Sequence, residues 1–253
     1  MPARRPLALR AGTAALVVLA LAGCSTDERS PGEPITADEA EVLAELLHRN
    51  HEEGGADFVV TVPFGDDALL TLTGEVDFRR GAGRAQAVTV ADDEERDTRT
   101  LFFDRDELWA GDVPGLPEAL AADGAREAVY LRRSLPVDPE DPELLDVLVE
   151  MLLNLAQPEA DDPELFLDGP YRWHAEQPID GRPTTVYRLR EGRTVAVDAG
   201  DQTLVQYRAT LPDSGLDVTL TLAEHGTRRV ALPSDDEAAA AADHPAVAAA
   251  FGI

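Results

Sequence analysis

Few side chains in this chain have the type and spacing that chemistry requires. His48 and His51 stand three apart on a predicted helix, a spacing that could turn two imidazoles toward one metal ion. The other histidines, at 174, 225 and 244, are scattered, and the single cysteine, Cys24, is far from the pair. The pair therefore reads as a solvated helix end. Carboxylates crowd in Asp92-Asp93-Glu94-Glu95 and in the Asp-Pro-Glu runs starting at Asp138 and Asp162. These runs lack the glycine and the alternating Asp/Asn of a calcium loop, and they read as turns and helix caps. There is no Gly-x-Ser-x-Gly elbow. There is no lysine either, so no phosphate loop closes on one. A lone cysteine excludes an internal disulfide framework and cysteine-rich zinc or iron–sulfur sites. No carboxylate pair can be singled out among 49 Asp and Glu. The sequence gives no positive support for an enzyme, a resident metal or a cofactor. Against those acids stand 22 basic residues, all arginine, for a formal charge of −27. That balance argues against nucleic acid, which needs a basic face.

The elements that could position a site begin after a separate N-terminal segment. Arg4, Arg5 and Arg10 precede an uncharged run from Ala11 to Gly23 rich in Ala, Leu and Val. Charge followed by a short apolar run is the pattern of a secretory signal. The run is shorter than the roughly 20 residues of a membrane span. It ends in Leu21-Ala22-Gly23-Cys24, which resembles the lipobox of bacterial lipoproteins. That resemblance implies a signal peptide over residues 1–23 and a mature chain that begins with a lipid-modified Cys24. Cleavage would remove three Arg and no acid, leaving 19 basic and 49 acidic residues and a net charge of −30. An anionic bilayer repels such a body, so the lipid must hold it there. Residues 24–35 are polar with Pro31, Gly32 and Pro34, and read as a tether of at most roughly 35 Å.

From Thr36 onward the chain has the makings of one domain, residues 36–253; with 44% hydrophobic residues the chain can build a core. Thr36 with Glu39 is a capping-box pair, and Ala40, Leu43, Leu46 and Leu47 follow helical spacing, predicting a helix over 37–51. Strand alternation then dominates. The pattern predicts strands over 57–64, 68–79, 84–91, 98–104 and 107–111, a short helix near 117–122, and a strand near 127–133. Asp141 and Pro142 are start signals for a helix reaching Ala156, and Asp162-Pro163-Glu164 repeats them for a shorter turn. Strands follow over 171–177, 183–191, 194–199, 202–211 and 215–224. Ser234 with Glu237 predicts an Ala-rich C-terminal helix. About ten strands joined by short turns, without sustained strand–helix–strand alternation, indicate an α+β fold. The expected form is a curved antiparallel sheet with a few helices on its apolar face.

The helix at 142–156 is apolar around most of its girth, with only Glu143, Asp146, Glu150 and Asn154 interrupting it. Such a helix is buried on several sides. It is either an ordinary central core helix or the border of an apolar cavity, and the residues alone leave both readings open.

The pattern as a whole resembles the LolA-like superfamily, and within it the LppX/LprAFG lipid-carrier lipoproteins. The shared features are the lipobox, the N-terminal helix, the meander, Gly74-Glu75-Val76-Asp77, the hairpin Asp180-Gly181-Arg182-Pro183-Thr184-Thr185-Val186-Tyr187, and Val195-Ala196-Val197-Asp198. The segment between Tyr187 and Val195 is shorter than in that family, and the acidic surface is unlike it. The resemblance implies a half-barrel wrapped over helices that encloses a cavity for acyl chains, without catalysis, but it assigns no individual binding residue. Face parity and the apolar helix nominate Leu148, Met151, Leu152 and Leu155 on the helix. On the sheet they nominate Phe58, Val60, Val62, Leu70, Leu72, Val76 and Phe78. The expected partners are a membrane, through the lipid on Cys24, and an acyl-chain ligand. The competing expectation is a sensor or interaction lipoprotein of the same fold whose acidic surface meets a cationic protein. Replacing Cys24→Ala should release the protein from membranes or leave an uncleaved precursor, as read by fractionation and N-terminal mass spectrometry. A membrane-bound, normally cleaved variant would rule out the lipid anchor.

Overall fold

Thr36 starts the first helix by the reciprocal bonding that its spacing to Glu39 predicts. The Thr36 hydroxyl accepts from the Glu39 amide, and the Glu39 carboxylate accepts from the Thr36 amide at 2.7 Å. The helix, α1 (Ala37–Glu53), ends at Gly54, whose φ of 97° is the left-handed cap that glycine favours. The computed structural model describes residues 29–64, 67–92, 94–135 and 143–253. Cys24, the expected signal segment and the expected cap Asp141-Pro142 lie outside them.

Strands β1 (Gly55–Phe64), β2 (Ala68–Asp77), β3 (Ala82–Ala91), β4 (Glu94–Phe103) and β5 (Glu107–Gly111) form a meander. After α2 (Leu116–Ala122) come β6 (Tyr130–Ser134), α3 (Leu144–Leu153) and α4 (Pro163–Leu167). A second meander follows: β7 (Arg172–Ile179), β8 (Arg182–Arg188), β9 (Thr194–Asp198), β10 (Leu204–Thr210) and β11 (Asp217–Ala223). Strand β12 (Ala238–Ala240) and α5 (Pro245–Phe251) close the chain. The strands make one twelve-stranded sheet in the order β12-β6-β5-β4-β3-β2-β1-β11-β10-β9-β8-β7. The two meanders join where β11 pairs with β1, and every pairing is antiparallel except β12 with β6. The class is α+β, and β12 is the one strand beyond the segments that the sequence predicts.

One face of the sheet is apolar, and it is curved. Phe58 on β1 and Phe103 on β4 have ring centroids 6.3 Å apart. Three strand spacings of about 4.8 Å separate those strands in a flat sheet. The rings meet because the inner face curls and because small residues lie between them. Phe103 covers its cross-strand partner Gly83, where a Cβ would stand 2.2 Å from the ring. Gly74, opposite Phe58, is similarly constrained, since a Cβ there would lie 1.9 Å from the Arg84 carbonyl oxygen. Helices α1 and α3 fill the concave side. The Arg133 guanidinium on β6 holds the buried Asp146 in the first turn of α3, with a second carboxylate, Glu143, at 2.8 Å. At the other end of α3, the Asn50 amide donates to the Leu155 carbonyl at 2.7 Å.

Four expectations need correction. Helix α3 stops at Leu153 rather than Ala156. The strand predicted over 183–191 ends at Arg188, because Glu191 and Gly192 turn the chain with φ of 58° and 77°. The Ala-rich tail is not one helix. Glu237 bonds back to Ser234, but Ala238–Ala240 then pair with the open edge of β6, and only α5 is helical. The backbone groups of a sheet edge offer partners that override the helix propensity of alanine. Lastly, residues 29–35 do not behave as a free tether. Trp173 exchanges two backbone hydrogen bonds with Gly32 and Glu33, at 2.9 and 3.0 Å, and Ile35 is buried in the core. The hairpin turn at Asp180-Gly181, with φ of 50° and 79°, is the two-residue turn that its sequence predicts.

Arg29 completes this strap. Its guanidinium pairs with Glu39 and stacks 5.2 Å over the Trp173 ring. Burial raises the Glu39 pKa, but the hydrogen bonds from Arg29 and Thr36 outweigh it and hold the carboxyl below its ordinary value. Burial and the nearby Glu39 carboxylate push the Tyr187 hydroxyl up to about 12. Because the Glu39 value is lowered on folding, its stabilisation is present above the ordinary Glu pKa of about 4.3 and is lost as pH falls through the lowered value. Glu39→Gln should therefore cost about 1 kcal/mol at neutral pH, as for other lost caps. In urea unfolding curves, the gap from the parent protein should narrow as pH drops below about 4. A gap independent of pH would show that the ionised carboxylate is not what matters.

Candidate functional site

The girth of α3 divides between two environments. Leu148, Val149, Leu152 and Leu153 are buried in the core. Val147, Glu150, Met151 and Asn154, with Leu155 just beyond the helix, line a cavity of about 520 Å³. Leu43, Leu46 and Leu47 of α1 form its second wall, and Val195, Leu204 and Tyr207 of β9 and β10 form its floor. Phe166 of α4, Tyr171, Leu189, Arg190 and Arg193 complete the rim. A volume of this size falls in the range of roughly 300–1,000 Å³ typical of small-molecule sites.

Backbone hydrogen bonds hold the helical wall in place. The amides of Gln157 and Asp161 donate to the carbonyls of Leu47 and Ala44, at 3.1 and 3.0 Å, so the segment after α3 runs back along α1. Asp162 then caps α4, accepting from the Glu164 amide at 3.0 Å. This short helix presents Phe166 to the Tyr171 ring, with centroids 4.8 Å apart. On its other side Leu165 and Leu167 are 60% and 45% exposed.

The sheet side of the rim carries charge. Between β8 and β9 the left-handed turn at Glu191-Gly192 places Arg190 and Arg193 at the cavity. The Arg190 guanidinium lies 6.0 Å from the Tyr171 ring centroid, and no ion-pair partner is recorded for it among the described residues. Arg193 pairs with the exposed Glu191. Burial raises the pKa of the Tyr207 hydroxyl, with Arg193 pulling it down and Glu191 adding to the rise. The strap docks at the same end, since Pro34 bridges to Arg172, the neighbour of Tyr171.

The nominated residues fall into two groups. Met151 and Leu155 line the cavity. Leu148 and Leu152 face the packed core, as do Phe58, Val60, Val62, Leu72, Val76 and Phe78, while Leu70 is half-buried against that core. The expected parity of the inner face holds, but the cavity lies under the β9–β10 half of the sheet rather than the β1–β2 half. Arg190, Arg193, Tyr171 and Tyr207 were missed. The signal available was three arginines, at 188, 190 and 193, clustered around a Glu-Gly turn in a strongly acidic chain. Among the acidic runs, Asp92 and Glu94 pair with Arg96 at 3.2 and 3.1 Å. His48 lies 3.5 Å from Glu52. A second depression, about 420 Å³, is bordered by Asp57, Val59, Glu75, Arg84, Gln86 and Ala223 and mixes polar with apolar side chains. Among the described residues no helix is long and apolar enough to cross a membrane.

Compared with known proteins, the chain matches no family model and no curated protein sequence. Among solved structures it is similar to an uncharacterized conserved protein from Thermus thermophilus. The identity is 9% and the TM-score 0.39, over 80% of this chain and 99% of that one.

The two faces of α3 should respond differently to added bulk. Leu152→Trp overfills a packed site and should cost roughly 1–3 kcal/mol in urea unfolding. Met151→Trp points into free volume and should leave the unfolding midpoint nearly unchanged. Equal losses from both would mean that the cavity is closed in solution.

Proposed function

We propose that this protein is a membrane-anchored extracytoplasmic lipoprotein that binds a lipid or similar hydrophobic ligand in the cavity between α1, α3 and β9–β10, and that it acts as a carrier without catalysis. The observation that carries this reading is the cavity itself. Leucine, valine, methionine and aromatic side chains line most of it, next to a packed apolar core. Each methylene transferred into such a space contributes about 0.8 kcal/mol, so an acyl chain gains affinity without a dense set of polar contacts. The curved sheet over helices agrees with the LolA-like arrangement that the sequence motifs suggest, and the LppX/LprAFG resemblance points to the same ligand class.

The strap adds a geometric argument. With residues 29–35 held on the domain, the chain from Cys24 to Arg29 spans at most about 18 Å. That is about half the reach expected of a free tether. A lipid on Cys24 would keep the Tyr171 end of the domain, with its exposed Leu165 and Leu167, close to the bilayer. A ligand could then pass between membrane and cavity over a short distance.

Protein purified from its own membranes should carry a non-covalent lipid in native mass spectrometry, recoverable by solvent extraction. Met151→Trp should lower its occupancy at least roughly tenfold while leaving the melting temperature in place, because lost apolar contact of about 1.4 kcal/mol already gives that factor. Parent protein free of lipid, and unable to take up a fluorescent fatty acid, would overturn the proposal.

A further inference from the structure

The rim of the cavity is cationic on one side only, and this says more about the ligand than the apolar lining does. Arg190 and Arg193 stand on the sheet side, brought there by the left-handed turn at Glu191-Gly192. The carboxylates that also border the cavity, Glu150 and Asp161, belong to α3 and to the segment packed along α1. An ionised group at the mouth therefore meets positive charge toward β8–β9 and negative charge toward the helices. In a chain of net charge −27, this local reversal is specific.

Resting on the proposed function, we infer that the ligand is an amphiphile with an anionic headgroup, a carboxylate or phosphate, bound at the rim by Arg190 and Arg193 while its tail enters the cavity. Arg190 is poised for this role. Its guanidinium rests near the face of Tyr171, which leaves the edge and its N–H donors available, and it has no carboxylate partner among the described residues. Arg193 pairs with Glu191, an exposed ion pair of the kind that contributes little and exchanges readily, and lies beside the Tyr207 hydroxyl. Guanidinium–carboxylate and guanidinium–phosphate bonds are charge-assisted, and a planar fork can engage two oxygens at once. The Tyr207 side chain, beside Arg193, adds a hydroxyl donor on the floor of the same rim. A cationic headgroup would bring positive charge against the two arginines, and a neutral one would gain no charge-assisted bond from them.

The test uses the full chain carrying Cys24→Ala, stripped of lipid, with two probes of the same tail: cis-parinaric acid, ionised at pH about 8, and its methyl ester. The acid should bind roughly tenfold more tightly than the ester, as expected for a charge-assisted pair. In the double variant Arg190→Gln, Arg193→Gln, the acid should fall to the affinity of the ester, and the ester should be unaffected. Both side chains are exposed, so thermal unfolding of the variant should match that of the parent. Acetate and inorganic phosphate at millimolar concentration should displace neither probe, since the tail supplies most of the affinity. Equal binding of acid and ester by the parent would overturn this inference and leave the carrier reading standing. A preference that survives in the double variant, or displacement by a tail-less anion, would do the same. Failure of both probes to bind the parent would overturn both.

Discussion

A twelve-stranded sheet with one apolar face presents more surface than five helices of modest length can cover, and that mismatch governs the architecture. The sheet resolves it by curling, so that strands far apart in sheet order share one core. Phe58 and Phe103 meet across the inner face, and Trp173 and Tyr187 at the β7–β8 edge belong to the same buried cluster. Curling is possible because the inner face is thin where it bends most. Gly74 and Gly83 leave no side chain between the aromatic rings and the backbone. Under the β1–β5 half, this brings the packing close to completion. Under the β9–β10 half, the space that helices α1 and α3 leave against the sheet is the cavity.

Helix α1 sets how far off they stand. Its carbonyls at Ala44 and Leu47 receive the amides of Asp161 and Gln157, and Asn50, fully enclosed, fixes the end of α3 through Leu155. A buried N–H is costly unless bonded, so this donor contact specifies one position of α3 relative to α1, although the Oδ1 of the same amide has no partner among the described residues. The capping box at the other end of α1 is shared with the strap, because Glu39 serves Thr36 and Arg29 together. One carboxylate thus couples the start of the spine helix to the segment that leads toward Cys24. The wall of the cavity and the docking of the N-terminal segment depend on the same helix.

Much of this was legible in the sequence because it is local. Alternation gave the two meanders, Thr36 and Glu39 gave the start of α1, and Asp180-Gly181 gave a hairpin. Parity placed Phe58, Val60, Val62 and Val76 on the inner face, where they are. What parity cannot encode is which half of an inner face is filled, since that depends on where helices from a distant part of the chain come to rest. Of the nominated residues only Met151 and Leu155 border the cavity, and the nominated strand positions pack into the core of the β1–β2 half. The Ala-rich tail failed for a related reason. Its local helix preference competes with the open edge of β6, and that edge exists only once the sheet has formed. Arg190 reads as the end of the strand over 183–191 because Tyr187-Arg188-Leu189-Arg190 alternates correctly up to the Glu191-Gly192 turn, and Arg193 falls between that strand and the next.

The charge distribution brings the proposed readings into one physical picture. In the proposed reading, a body of this acidity, held within about 18 Å of an anionic bilayer by its strap and a lipid on Cys24, would be repelled by the headgroups, and the anchor would oppose that force. Leu165 and Leu167, though exposed, sit among Glu159, Asp161, Asp162, Glu164 and Asp168, while Arg190 and Arg193 stand across the rim on the sheet side. The charge of this end is therefore mixed, and the contrast that matters lies across the mouth of the cavity rather than between one end of the domain and the other. Repulsion from an anionic bilayer acts on the helical side of the rim, and attraction of an anionic group acts on the arginine side. Raising the salt concentration, which screens exposed charge, weakens both.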